Sequence, residues 1–153
     1  PYVRKVMVLL QETGQLDDVE VVPVTTTPVS PMDGLSAKNP LSKIPALERN
    51  EGPTLYDSRV ICAFLDARAG NKLYPSGASK WEALTLEATA DGILDAAVSI
   101  TYEGRVRPEE KQGDGWTAAQ WSKLVGACAA LHTAVRSHLN GQLESSLIAT
   151  EQF

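Results

Sequence analysis

The sequence has few of the residues on which several common kinds of site depend. Only two of its 153 residues are cysteines, Cys62 and Cys128, and only two are histidines, His132 and His138. The cysteines lie far apart and neither belongs to a CxxC pair, which argues against a disulfide framework and against a metal site of zinc-ligand spacing. Both lie on apolar helix faces, so we expect buried structural thiols. Scarce cysteine also fits a reducing, cytoplasmic location.

Basic charge and long apolar runs are scarce as well. The chain has 14 Lys and Arg residues against 19 Asp and Glu residues, so its net charge is -5. A nucleic-acid partner requires a basic surface that displaces counterions from the phosphates. No apolar run approaches the roughly 20 residues of a membrane span. We therefore expect neither a nucleic acid nor a membrane among the partners of this protein.

The first part of the chain has one helix signal followed by one strand signal. Apolar residues at positions 3, 6, 7 and 10 share one face of a helix and predict a helix over Pro1–Gly14. The β-branched run Val19–Val24 predicts a short strand, and Pro23 predicts that this strand lies at an edge or ends early. The stretch Thr25–Pro40 is rich in Thr, Pro and Ser and predicts mostly loop, with one short helical piece around Met32–Lys38.

A hairpin and a helix are predicted next. Lys43–Glu48 and Thr54–Tyr56 are short strand candidates on either side of the turn Asn50–Pro53. Asp57 or Ser58 then follows as the N-cap of a helix, since both side chains can accept a hydrogen bond from a first-turn N–H. The order of elements predicts a narrow three-stranded sheet that a further strand before Pro1 would complete.

The second half of the chain predicts helices alone. Ala69–Gly77 has no periodicity and predicts a linker between two domains. A long helix is predicted from Ser79 to about residue 105. A second is predicted to begin at Thr117, because Gln120 completes a capping-box pattern, and to end at Asn140–Gly141.

This order of elements and three local strings resemble the cytosolic glutathione S-transferases of bacterial type. The strings are Pro1–Val6 (PYVRKV), Asn39–Leu47 (NPLSKIPAL) and Leu55–Ile61 (LYDSRVI). The resemblance implies an α/β plus all-α fold, with a thioredoxin-like N-terminal domain over residues 1–73 and an all-helical C-terminal domain over residues 78–153. It covers nearly all of residues 1–140 and also implies a homodimer.

The sequence departs from the family pattern at both ends. In the family a strand and a short loop precede the first helix, and the loop carries a catalytic Ser, Tyr or Cys. In the Ser- and Cys-type members this residue lies just before a proline like Pro1. We therefore expect the first strand and the catalytic residue upstream of Pro1. The family also continues through further helices, the next of which opens on a polar capping motif. Glu144–Thr150 matches that motif only faintly, so we expect the helical domain to be incomplete at its C-terminus.

The resemblance implies that glutathione is bound as a co-substrate and that two groups of residues contact it. Asp57 and Ser58 suit its γ-glutamyl end: Ser58 and the helix N-terminus would hold the carboxylate, and Asp57 would pair with the ammonium. The alternative is that this pair only caps its own helix. Ile44 before Pro45 suits the cysteinyl backbone if the peptide bond between them is cis, as the resemblance implies. The alternative is an edge proline that only blocks strand pairing.

Three further residues are candidates with equally ordinary alternatives. Lys43 would meet the glycyl carboxylate of glutathione, or is a solvated lysine. Tyr2 lies at the N-terminus of the first helix, near the expected thiolate. Tyr102, on the first long helix of the second half, would contact the electrophile, or lies on a solvated helix face.

The resemblance implies an enzyme that transfers the glutathione thiolate to a small electrophile. A glutathione-dependent reductase or isomerase is one alternative, and a non-catalytic binding module on the same fold is another. Fold alone does not choose among them.

Overall fold

Residues 1–150 are described by the computed structural model, with side chains described up to residue 140. They divide into two units, Pro1–Lys80 and a second unit that begins at Trp81. The domain limits 1–73 and 78–153 stay predictions, and residues 151–153 lie outside the described residues.

Three helices belong to the first unit. Helix α1 is Tyr2–Glu12, which confirms the helix predicted from the apolar spacing. Gly14 has a φ of 70°, a left-handed conformation that glycine adopts without steric cost, and it lies directly after the helix end. Helix α2 is the single turn Leu35–Lys38. Helix α3 is Ser58–Arg68.

The core of the first unit lies between α1 and α3. Its buried members come from one face of each helix: Val6, Leu9 and Leu10 from α1, and Ile61, Cys62 and Leu65 from α3. Because they recur at spacings of three and four residues, each helix buries one continuous stripe. Burying a large aliphatic side chain contributes roughly 1.5–3 kcal/mol, so this cluster is the main support of the unit.

A minimal hairpin packs against this core. Leu47 and Leu55 exchange two main-chain hydrogen bonds of 2.9 Å in an antiparallel bridge. Their half-buried side chains pack against the α1–α3 cluster. The predicted hairpin is therefore confirmed, although the ladder is shorter than predicted. Pro45 and Pro53 lack the N–H groups that a longer ladder requires.

The strand predicted over Val19–Val24 is wrong for the described residues. No strand pairing forms there, and Val21 and Val22 are exposed. A strand exists only with a partner that accepts and donates its main-chain hydrogen bonds, and the described residues contain none for this segment. The β-branched pattern predicts an extended chain but not its partner.

Asp66 holds the segment that leaves α3. The residue is 1% exposed, and its carboxylate accepts the N–H of Leu73 at 2.8 Å and that of Tyr74 at 3.0 Å. The backbone carbonyl oxygen of Asp66 also accepts the N–H of Asn71 at 2.8 Å. The segment predicted to be a linker is thus attached to the first unit at its start by one buried residue.

The second unit is built from two long helices. Helix α4 is Ser79–Val106, as predicted, and helix α5 is Asp114–Thr150. A 3₁₀ turn, Glu109–Lys111, lies between them. The prediction that the second long helix begins at Thr117 is wrong, because the N–H of Thr117 already donates to the C=O of Gly113 at 3.0 Å.

The predicted helix end at Asn140–Gly141 is also wrong, because α5 continues to Thr150. A single glycine costs a helix only about 1 kcal/mol relative to alanine, so it does not end a helix by itself.

In the part of the chain that the structure describes, no helix combines the length and the apolar character needed to cross a membrane.

The prediction of two buried thiols is half right. Cys62 is buried, whereas Cys128 on α5 is exposed, as are Val135 and Leu139 on the same helix. Apolar spacing determines which side chains share a helix face, but burial requires another element to cover that face.

Candidate functional site

The hairpin brings four of the predicted site residues to one end. In an antiparallel bridge the residues two positions outward from Leu47 and Leu55 are Pro45 and Asp57. Both lie on the side of the bridge away from the turn. Ile44 precedes Pro45 on one side of the hairpin, and Ser58, the first residue of α3, follows Asp57 on the other. The local pairing therefore places both halves of the predicted site at the same hairpin end.

Ile44 presents backbone groups that the protein does not use. The Ile44–Pro45 peptide bond is cis, as the resemblance implies. Ile44 is half-buried, and no described residue hydrogen-bonds its N–H or its C=O. One donor and one acceptor on the same residue are what a peptide-like ligand requires for two backbone hydrogen bonds.

Asp57 is the N-cap of α3. One carboxylate oxygen, Oδ1, accepts the N–H of Arg59 at 3.0 Å. The predicted capping role is therefore confirmed. Asp57 is exposed, and the cap leaves the second oxygen, Oδ2, available. The Tyr56–Asp57 peptide bond is also cis, a feature for which the sequence carries no signal.

Ser58 opens the first turn of α3. The residue is 3% exposed, and no described residue hydrogen-bonds its hydroxyl. A helix N-terminus carries partial positive charge and free N–H groups, which favour a bound carboxylate. The Ser58 hydroxyl adds a donor at that position, so the hairpin end can hold an anion beside the unused groups of Ile44.

The remaining predicted residues lie in different places. Lys43 is exposed at the hairpin end. Tyr2 is the first residue of α1 in the first unit and is half-buried. Tyr102 is half-buried on α4 in the second unit. Roles in binding for these three residues stay predictions.

The sequence reasoning missed Asn39, which is 2% exposed. Its Nδ2 donates to the C=O of Lys43 at 2.8 Å, and its Oδ1 accepts the N–H of Leu41 at 3.0 Å. Polar residues are common in loops such as the one between α2 and the hairpin. The only sequence feature that could have singled out Asn39 is its position in the NPLSKIPAL string.

The second unit has its own open groove of about 500 Å³ between the end of α4 and the start of α5. Glu103 and Trp121 are among the residues that line it, whereas Tyr102 does not. Glu103 accepts the N–H of Gly113 at 2.9 Å, and its other oxygen lies 3.3 Å from Nε of Arg107. Both oxygens of this carboxylate thus hold the α4–α5 connection.

Comparison with known proteins decides the family. Residues 1–68 match the family model described as glutathione S-transferase, N-terminal domain. A crystal structure of a glutathione transferase family member from Pseudomonas fluorescens Pf-5, with bound glutathione, superposes with a TM-score of 0.87 at 47% identity. That match covers 92% of this chain and 70% of the other. The chain belongs to the glutathione S-transferase family. The predicted fold class, thioredoxin-like followed by all-helical, is thereby confirmed.

Two further matches agree with this membership. A structure of a Pseudomonas fluorescens Pf-5 family member with bound S-(propanoic acid)-glutathione has a TM-score of 0.81 at 45% identity, covering 92% of this chain and 69% of the other. The uncharacterized GST-like protein YibF of Escherichia coli (strain K12) is 29% identical over 126 residues, which are 81% of this chain. The match spans 60% of the length of that curated relative.

Proposed function

We propose that this chain binds glutathione at the end of the Leu47–Leu55 hairpin and transfers its thiolate to a small electrophile. The observation that carries the proposal is that no described residue hydrogen-bonds the N–H or C=O of Ile44 or the hydroxyl of Ser58, which stands at a helix N-terminus. Two similar solved structures hold glutathione or an S-substituted glutathione, which supports the choice of ligand.

Each part of the tripeptide has a partner in this proposal. The γ-glutamyl carboxylate accepts from the Ser58 hydroxyl and the first-turn N–H groups of α3, and its ammonium pairs with Asp57. The N–H and C=O of Ile44 exchange two hydrogen bonds with the cysteinyl unit, and cis-Pro45 follows directly. Lys43 meets the glycyl carboxylate. Because Ser58 is buried and Asp57 is exposed, Ser58 should contribute more to affinity than Asp57.

Transfer of the sulfur requires the thiolate. A thiol with an ordinary pKa of about 8.5 is only a few per cent ionised at pH 7, and lowering that pKa by two units requires about 2.7 kcal/mol of preferential anion stabilisation. The N-terminus of α1, with the N–H of Tyr2, supplies part of it. The thiolate sulfur then attacks the electrophilic carbon, a carbon–sulfur bond forms, and the leaving group departs. The residue that activates the thiol is not assigned within this chain.

The wider assignment follows from the same proposal. The protein acts as a cytoplasmic homodimer on a small electrophile, for which Tyr102 stays the predicted contact. The S-substituted glutathione in one similar structure favours conjugation over the alternatives, which are a glutathione-dependent reductase or isomerase and a binding module without activity.

Calorimetric titration with glutathione tests the binding step. The unchanged protein should bind, and Ser58→Ala should weaken binding about 10- to 100-fold, because a hydrogen bond to a charged group contributes about 1.5–3 kcal/mol. Ser79→Ala is the control, since Ser79 also opens a helix, α4, and its hydroxyl donates to the C=O of Ser76. Equal affinity of a folded Ser58→Ala variant contradicts the proposed site.

Turnover separates the three functions. With glutathione and an aryl chloride, a transferase releases chloride and forms the thioether. With a mixed disulfide of glutathione, a reductase releases the free thiol instead. Binding without either reaction leaves the binding module as the function.

A further inference from the structure

Asn39 is a buried, fully bonded side chain in the loop that leads to Ile44. The residue is 2% exposed, and both ends of its amide are used: Nδ2 donates to the C=O of Lys43 at 2.8 Å, and Oδ1 accepts from the N–H of Leu41 at 3.0 Å. We propose that Asn39 is a positioning residue that aims the N–H of Ile44 at the cysteinyl unit of glutathione. This inference rests on the proposed function.

The planarity of the Lys43–Ile44 peptide unit couples the hydrogen bond of Asn39 to the orientation of the Ile44 N–H. The C=O of Lys43 and the N–H of Ile44 belong to one peptide unit, and this peptide bond is trans. In a planar trans unit these two groups point in opposite directions. A donor that holds the C=O of Lys43 on the Asn39 side therefore turns the N–H of Ile44 to the other side. That N–H has no partner among the described residues, so it is held ready for a ligand.

The backbone of Asn39 fixes the rest of the loop. Its N–H donates to the C=O of Leu35 at 2.8 Å, and its C=O accepts the N–H of Ser42 at 2.8 Å. Ser42 has a φ of 51°, a left-handed conformation that costs a non-glycine residue roughly 1–2 kcal/mol and persists only where its neighbours hold it. Side-chain and backbone hydrogen bonds of Asn39 together constrain residues 41–43, directly before Ile44.

The test is a pair of matched substitutions. Asn39→Asp keeps the acceptor for Leu41 and removes the donor to Lys43. Gln15→Glu makes the same chemical change at a buried amide of the same unit, whose Nε2 donates to the C=O of Leu65 at 2.9 Å. Both variants should lose stability. Only Asn39→Asp should also lose glutathione affinity, by about tenfold, the value of one well-aimed hydrogen bond.

Amide NMR provides a measurement that a purely structural role of Asn39 would leave unchanged. In the unchanged protein, glutathione should slow hydrogen exchange of the Ile44 N–H. In Asn39→Asp, measured at saturating glutathione, this protection should fall while the response of the Ser58 N–H is retained. Equal affinity losses in the two variants, or an unchanged response of Ile44, overturn the role of Asn39.

A measurement on the unchanged protein covers the case in which Asn39→Asp does not fold. The side-chain amide protons of Asn39 should exchange more slowly than those of exposed Asn50 before any ligand is added. Equal rates overturn the inference. If the amide protons of Asn39 exchange slowly but the unchanged protein does not bind glutathione, the proposed function is wrong, although the hydrogen bond from Asn39 to Lys43 is present.

Discussion

Asp57 caps α3 and is proposed to bind glutathione, and substitution can separate these two roles. As the N-cap of α3 it accepts the N–H of Arg59 at 3.0 Å, and in the proposed complex it pairs with the ammonium of glutathione. Asp57→Ala removes both roles. Asp57→Asn removes the negative charge but keeps an oxygen that caps a helix about as well as aspartate does.

The structure sets the expected magnitudes. Loss of an N-cap costs about 1 kcal/mol, so Asp57→Ala should lower the melting temperature by roughly 2–4 °C without ligand, whereas Asp57→Asn should stay within about 1 °C. Because Asp57 is exposed, its pair with the ammonium is screened and contributes at most about 1 kcal/mol. Both variants should therefore bind glutathione more weakly, by up to about fivefold.

Thermal unfolding followed by calorimetric titration measures the two effects independently. Asp17→Asn is the control, since Asp17 is an exposed carboxylate in the 3₁₀ turn Leu16–Asp18 that follows α1. It should change neither quantity. Normal affinity in Asp57→Asn together with weak binding in Asp57→Ala would show that Asp57 only caps its helix and has no part in binding the ligand.

Three further outcomes follow from burial. Cys128 should react with a thiol reagent in the native protein and Cys62 only after unfolding, because the first is exposed and the second is 1% exposed; equal rates contradict this. Asp66→Ala should lower the free energy of unfolding by about 2–4 kcal/mol in urea titration, since two N–H groups lose their acceptor; a change below about 0.5 kcal/mol refutes the role of Asp66. Leu65→Ala should cost about 2–5 kcal/mol by the same method, through the cavity it leaves between α1 and α3, and a cost near zero contradicts that packing.

Much of the local structure was predictable from the sequence. The positions of α1 and α4 follow from apolar spacing, and the cap at Asp57 follows from a side chain that accepts its own helix's N–H. The hairpin follows from the turn residues between Leu47 and Leu55. Each of these depends on residues a few positions apart, so a short stretch of sequence contains the information.

The candidate site was predictable only with the help of the family resemblance. Composition and spacing alone favoured an ordinary cap at Asp57, and the structure confirms that cap. The cis bond before Pro45 required the NPLSKIPAL string as a second signal, because most bonds before proline are trans. The role of Asn39 was out of reach, since its partners become visible only when the loop before Ile44 is folded.

Sequence alone determined where α1 and α4 lie, which side chains share a helix face, and that acceptors for an N-terminal turn stand at positions 57 and 58. Only the tertiary structure decided that Cys128 is exposed, that Val19–Val24 pairs with no described strand, and that Asn39 is buried against Lys43. The physical reason is range: helical period and capping act over about four residues, whereas burial and strand pairing depend on elements far away in the sequence.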